Sequence, residues 1–191
     1  MAKYIIEGGA KISGEYRISG NKNSVLPCLA ATLLTSDEVT LKNVPKIADV
    51  KVFLDILRHI GVWVSESEDT VTVKTAEIKN TDLPEELMNK LRASILLVGP
   101  LLSKKGNVSF SHPGGDIIGT RNIDTHILGF EKLGYTFEAS DKKYAAKRTS
   151  EVNEDKSIFL DDPSVTATEN LILVSALGSK TITLKNCAQE P

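Results

Sequence analysis

The sequence predicts an α/β protein assembled from a repeated βαβαββ module, and three observations carry that reading. Short strand-like runs ending in a polar turn recur at residues 39–45, 108–114 and 182–188, a period of about 70 residues. Each follows an apolar, helix-like stretch, at 24–34, 85–102 and 168–177. In the first two copies a second helical pattern follows and ends in a glycine, Gly61 or Gly134, with a hairpin pattern beyond it.

The elements follow from local patterning, taken in order. Residues 1–20 read as two short strands, 3–7 and 16–19, joined through Gly8, Gly9 and Gly14. The first module covers about 21–75: a helix over 24–34, a strand at 39, and a helix with Val50, Phe53, Leu54, Leu57 and Ile60 on one face. A hairpin of 62–66 with 71–74 closes it. The second, about 76–150, repeats this order, with Ile123, Ile127, Phe130 and Leu133 on one helical face and a hairpin of 135–139 with 144–148. A further strand is expected before each first helix, at 16–19, 76–78 and 157–160. Thr-Leu-Lys-Asn recurs verbatim at 40–43 and 183–186. The third module, 151–191, stops after its interior strand, so a truncated chain is expected, because such modules bury their faces against neighbours.

Composition narrows the classes of function. The 191 residues are 41% hydrophobic and 25% charged with a net charge of −2, which suits a globular protein and disfavours nucleic acid as a partner. No run is long enough to span a membrane and the N-terminus has no leader pattern, so a cytoplasmic protein is expected. Cys28 and Cys187 read as reduced packing residues rather than a disulfide. With only His59, His112 and His126 and no His/Cys cluster, no metal site is expected.

The residues able to carry chemistry are concentrated at the openings of helices. Residues 113–126 hold three glycines, Asp116, Arg121, Asp124 and His126 between a strand and a helix, which suits either a surface turn or an anion-binding loop. Lys22, with Asn23 or Ser24 as helix cap, reads as an ordinary cap or as an anion contact. Arg92 lies in an apolar helical stretch and needs a partner, either a structural carboxylate or a ligand phosphate. Asp162, Pro163, Ser164 and Val165 open the third module's helix, where a Ser/Thr cap and an anion site are both open readings.

Together these motifs resemble one family. Gly20-Asn21-Lys22-Asn23, Leu91-Arg92-Ala93-Ser94-Ile95, Pro113-Gly114-Gly115 with Ile118-Gly119 and Arg121, Asp124 with His126, Pro163-Ser164-Val165 and Glu190-Pro191 are similar to the UDP-N-acetylglucosamine 1-carboxyvinyltransferases, among the enolpyruvyl transferases. The resemblance runs the length of this chain and covers less than half of the family's enzyme. It implies an inside-out α/β barrel, with helices inside and sheets outside, and places residues 1–20 in a second domain that is mostly absent here. It also implies transfer of the enolpyruvyl group of phosphoenolpyruvate to UDP-N-acetylglucosamine, the first committed step of peptidoglycan synthesis, without a cofactor.

Carried over by position, Lys22 and Asn23 are implied phosphoenolpyruvate contacts, and Arg121 a cleft cation facing both substrates. Arg92, Asn122, Ile123, Asp124, Thr125 and His126 are implied to hold the nucleotide sugar, with Asp162, Pro163, Ser164 and Val165 near its uridine and diphosphate. Asp162 departs from a lysine found in relatives, and Thr166 stands where glycine is common. Asp116 stands where most of the family has the cysteine acid, which implies a carboxyl proton donor and insensitivity to fosfomycin, an epoxide aimed at a thiolate. The rival readings are the shikimate-pathway enolpyruvyl transferase on the same fold and a non-catalytic nucleotide-sugar-binding module.

Overall fold

A computed structural model describes residues 3–114, 122–140 and 143–189. The first module holds α1 (Lys22–Ala31), β1 (Glu38–Leu41), α2 (Ala48–His59), β2 (Trp63–Ser67) and β3 (Thr70–Lys74). The second holds α3 (Glu85–Met88), α4 (Val98–Lys105), β4 (Asn107–Ser111), α5 (Asp124–Lys132), β5 (Tyr135–Ala139) and β6 (Lys143–Arg148). The third supplies β7 (Lys156–Phe159), α6 (Val165–Ser175) and β8 (Ile182–Lys185).

Both hairpin sheets are antiparallel and have the same strand order, β1-β3-β2 and β4-β6-β5, so the interior strand of each module pairs with the last strand of its own hairpin. Val71 and Val73 of β3 point inward, while Thr72 faces out and meets Thr40 hydroxyl to hydroxyl at 3.1 Å. This alternation leaves one face of each sheet in solvent and turns the other onto the helices, the arrangement of an inside-out barrel. The helices are the interior: Leu29, Phe53, Leu54, Leu101, Phe130 and Leu171 are fully or almost fully buried in one continuous core. Helix α6 packs on α4, α5 and α1. Its approach to α4 and α5 is close because Gly99 and Gly129 face it; a Cβ at Gly99 would lie 2.7 Å from the Asn170 carbonyl, and one at Gly129 2.6 Å from Leu171.

Several expected elements differ. The helix expected over 85–102 is interrupted: α3 is a single turn, Leu91 is extended, and Arg92–Leu97 is a 3₁₀ segment leading into α4. The cause lies in the loop after β4. The Gly114 N–H donates to the Met88 carbonyl at 3.0 Å, and the Gly114 Cα sits where any Cβ would collide with the Asn89 backbone, so the loop docks at the end of α3. The first helix likewise ends as a 3₁₀ turn, Thr32–Leu34. Of the three opening strands only the last is a named strand, β7, which runs parallel to β8. In the second module the pairing falls later than 76–78, as a parallel bridge of Asp82 with Ser109. Residues 3–7 and 16–19 form no strand; Tyr4, Ile5, Ile6, Ile12, Tyr16 and Ile18 are exposed, because no described strand completes a backbone ladder with them. Cys28 is exposed rather than packed, and Cys187 lies against the core.

The asparagine that ends the verbatim tetrapeptide has a structural reason. Asn43 and Asn186 both adopt left-handed backbone at φ 57°, which asparagine tolerates better than most residues, and both end the interior strand of a module. The Asn186 side-chain amide then donates to the Leu160 carbonyl at 2.8 Å, and that of Asn43 to the Ile18 carbonyl at 3.5 Å, tying each strand to the segment that enters its module. Asn186→Ala is expected to lower unfolding stability by about 1–2 kcal/mol in urea denaturation, from the lost bond and the strained backbone. Asn186→Gly should recover the backbone share; equal losses in both variants would rule out a conformational role.

Candidate functional site

Three inner segments begin at equivalent points of their modules: α1 at Lys22 before β1, the 3₁₀ segment at Arg92 before β4, and α6 at Val165 before β8. They pack on one another, and the residues singled out in the sequence are gathered at these starts and at the start of α5.

At α1 the cap is Asn21, not Asn23 or Ser24. The Asn21 Oδ1 accepts the Asn23 N–H at 2.7 Å, and its backbone is extended, as an N-cap requires. Lys22 is the first helical residue; its Nζ lies 3.0 Å from Asp49 Oδ2 at the first turn of α2. Both side chains are well exposed, so this pair is weakly held and Lys22 remains available to an anion. Asn23 is exposed beside it.

Arg92 bridges the two stems of the glycine-rich loop. Its guanidinium donates to the Pro113 carbonyl at 3.5 Å on one side and to the Asn122 carbonyl at 3.0 Å on the other. Two of its bonds thus go to main-chain oxygens of the loop stems. The far stem is closed by its own side chains: Asn122 Oδ1 accepts the Asp124 N–H at 3.0 Å while Asn122 Nδ2 donates to Asp124 Oδ2 at 2.5 Å. Ile123 is buried, Thr125 half-buried, and α5 runs on from Asp124. Asp116 and Arg121, the expected acid and cleft cation, lie outside the described residues.

His126 is buried on α5 and hydrogen-bonded at both ring nitrogens. Nδ1 faces the Asn170 side-chain amide at 3.2 Å and Nε2 faces Thr166 Oγ1 at 3.2 Å. Burial, with the charge of Arg92 adding to it, pushes His126 down from an ordinary value of 6.5 to about 3, so the ring is neutral near pH 7. Asn170 is fully buried; its Oδ1 accepts the Gly99 N–H at 2.9 Å and its Nδ2 donates to the Ile95 carbonyl at 3.0 Å. One amide thus joins α6 to α5, to α4 and to the 3₁₀ segment that carries Arg92.

At α6 the cap reading holds for Ser164, whose Oγ accepts the Ala167 N–H at 3.3 Å. Asp162 and Pro163 are exposed, and the Asp162 carbonyl accepts the Ser164 N–H at 2.7 Å; Val165 is the first residue of the helix. The structure therefore brings Arg92, Asn122, Asp124 and His126 together with the start of α6, and sets Lys22 and Asn23 at the separate start of α1. Asn170 and Asp49 were not singled out in the sequence. Asn170 had a readable signal, a lone amide directly before the apolar run 171–174; Asp49 had none, being one acidic residue in a first helical turn. No helix of the described residues is long and apolar enough to cross a membrane.

The His126 burial makes a pH-dependent contribution to stability. The folded ring binds its proton only near pH 3 and the unfolded ring near 6.5, so the stabilisation is full above pH 6.5 and declines as pH falls toward 3. Urea denaturation of the wild type between pH 7 and 5 is expected to show stability falling with acid, with a slope from this residue approaching about 1.4 kcal/mol per pH unit. In His126→Gln that slope should be much shallower over the same window; an unchanged slope would show that His126 is not the source.

Comparison with known proteins follows the same fold. The sequence profile of EPSP synthase (3-phosphoshikimate 1-carboxyvinyltransferase) matches residues 6–191. Curated relatives named UDP-N-acetylglucosamine 1-carboxyvinyltransferase are 44% identical over 191 residues in Borreliella burgdorferi, 42% over 193 in Bradyrhizobium diazoefficiens and 42% over 192 in Treponema denticola. All or nearly all of this chain is covered in each case, and the chain spans 43–44% of those relatives' own length. Among solved structures, the enolpyruvyl transferase NikO from Streptomyces tendae matches with a TM-score of 0.74 at 22% identity, covering 90% of this chain and 40% of that one. EPSP synthase from Acinetobacter baumannii matches with a TM-score of 0.70 at 15% identity, covering 93% and 41%. At those identities the two structures speak for the fold alone. The chain belongs to the EPSP synthase (3-phosphoshikimate 1-carboxyvinyltransferase) family, the enolpyruvyl transferases.

Proposed function

We propose that this chain forms the first domain of an enzyme that transfers the enolpyruvyl group of phosphoenolpyruvate to the 3′-hydroxyl of UDP-N-acetylglucosamine and releases phosphate. The observation that carries the reading is the identity of 39–44% across essentially the whole chain to proteins of that name. The site is compatible with it: an arginine, two loop stems and the start of α6 meet around a buried neutral histidine, a setting suited to an anionic ligand. The protein is read as cytoplasmic, where both substrates are small soluble anions.

In this reading the 3′-hydroxyl oxygen attacks C2 of phosphoenolpyruvate while C3 accepts a proton, giving a tetrahedral phospho-ketal. Loss of phosphate from C2 and of a proton from C3 then restores the double bond. Asp116 is the proposed proton donor, and Lys22 and Arg121 neutralise charge on phosphoenolpyruvate as it reacts. Asn23 contacts the same substrate. Arg92, the backbone of 121–125 and residues 162–165 hold the nucleotide sugar, with His126 behind them and the exposed carboxylate of Asp162 the weakest member because it repels a diphosphate. No cofactor takes part. Residues 3–19, whose apolar side chains reach 97% exposure at Ile12, are proposed to complete the sheet of a second domain, and substrates to bind between the two.

The chain combined with a separately supplied second domain is expected to release phosphate from phosphoenolpyruvate only when UDP-N-acetylglucosamine is present, and to do so negligibly alone. Sugar-nucleotide binding without phosphate release by the pair would favour the non-catalytic reading, and a requirement for shikimate 3-phosphate would favour the shikimate-pathway one. Asp116→Asn should abolish turnover in the pair, or cut it by about 100-fold or more, since a positioned acid is worth about that much. Mass spectrometry after fosfomycin treatment should find no adduct on Asp116, because a carboxylate is a poor partner for an epoxide that targets a thiolate.

A further inference from the structure

Thr166 stands at the end of a chain of hydrogen bonds whose directions chemistry fixes. The Gly99 N–H can only donate and the Ile95 carbonyl can only accept, so the Asn170 amide has one possible orientation, with Oδ1 toward Gly99 and Nδ2 toward Ile95. The second Nδ2 hydrogen is then directed at His126 Nδ1, 3.2 Å away, and that nitrogen must be bare. A neutral ring with bare Nδ1 carries its proton on Nε2, which donates to Thr166 Oγ1 at 3.2 Å. The Thr166 oxygen is thereby an acceptor on its inner side, and its own hydrogen must point elsewhere.

The helix does not take that hydrogen. Thr168, two residues along α6, donates to the Ser164 carbonyl at 2.9 Å in the usual backward bond, and Thr32 donates to Leu29 at 2.7 Å. Thr166 makes no such bond among the described residues and is half-buried, so its hydroxyl hydrogen is left for a ligand or solvent oxygen beside the start of α6. The guanidinium of Arg92 is near enough for its charge to act on His126. A ligand oxygen held at Thr166 would therefore meet a directed O–H.

We infer that Thr166 is a specificity-determining hydrogen-bond donor to the diphosphate oxygens of the nucleotide sugar, its hydroxyl turned outward by Asn170 and His126 acting as positioning residues. The inference rests on the nucleotide-sugar reading given above. It assigns His126 a role behind the ligand, as the group that occupies the Thr166 lone pair, and gives the buried amide of Asn170 a function beyond packing.

The chain combined with the separately supplied second domain tests this in two measurements. Nitrogen-15 spectra of the His126 ring are expected to show bare Nδ1 and protonated Nε2, unchanged from pH 8 to pH 5; the opposite tautomer would overturn the inference. Titration with UDP-N-acetylglucosamine, followed on the amides at the start of α6, is expected to give a Kd about tenfold weaker for Thr166→Val, as loss of a bond to a charged group predicts. Thr166→Ser, which keeps the hydroxyl, should stay within about twofold of the wild type. Wild-type binding that Thr166→Val leaves unchanged would overturn the inference and leave the nucleotide-sugar reading standing. No response of the wild type at any concentration would overturn that reading and the inference with it.

Discussion

The buried amide of Asn170 is the constraint on which the interior depends. A polar group at full burial is costly unless its bonds are made, and here Oδ1 and Nδ2 are both engaged, one by Gly99 and the other by Ile95 and His126. Each partner lies on a different segment, so α6 can occupy only one register against α4 and α5. The close approach at Gly99 and Gly129 serves the same end, since a larger residue at either point would lift α6 away from the groups its amide must reach. Apolar packing among Leu101, Phe130 and Leu171 drives the helices together without choosing that register; the amide chooses it.

The same logic extends to the loop. Gly114 lets the chain after β4 settle on the end of α3, where it takes the Met88 carbonyl and interrupts the helix. That interruption leaves Arg92 at the start of a new segment, placed to hold Pro113 and Asn122 at the two loop stems. These two bonds tie the loop stems to one side chain. Its positive charge in turn helps keep His126 neutral, so a structural clasp and the protonation state of a neighbouring ring are linked through one guanidinium.

The module is a unit of architecture more than of chemistry. Equivalent points at Lys22, Arg92 and Val165 carry different side chains, and each is stabilised differently: Asn21 caps the first, Ser94 accompanies the second by donating to Leu91 at 2.5 Å, and Ser164 caps the third. Repetition of the fold brings three segment starts to comparable positions, and divergence of sequence then gives each its own partner. Asn43 and Asn186 show the opposite case, where a shared backbone requirement is met by the same residue at both places.

The sequence by itself determined the modules, the antiparallel hairpins, the glycines that end α2 and α5, and the family, because these follow from local periodicity, turn chemistry and ordered motifs. It also marked Lys22, Arg92, Asn122, Asp124, His126 and Ser164 as residues of interest. The tertiary structure alone decided what most of them touch. The break after α3 depends on a carbonyl taken from outside the helix, which no helical pattern can signal. The strands expected at 3–7 and 16–19 have suitable residues and no described strand paired with them, and a strand exists only when another completes its hydrogen bonds. Asn170, 44 residues from His126 and 71 from Gly99, became central only when folding set three distant segments around one amide, since hydrogen-bond partners are chosen by position in space.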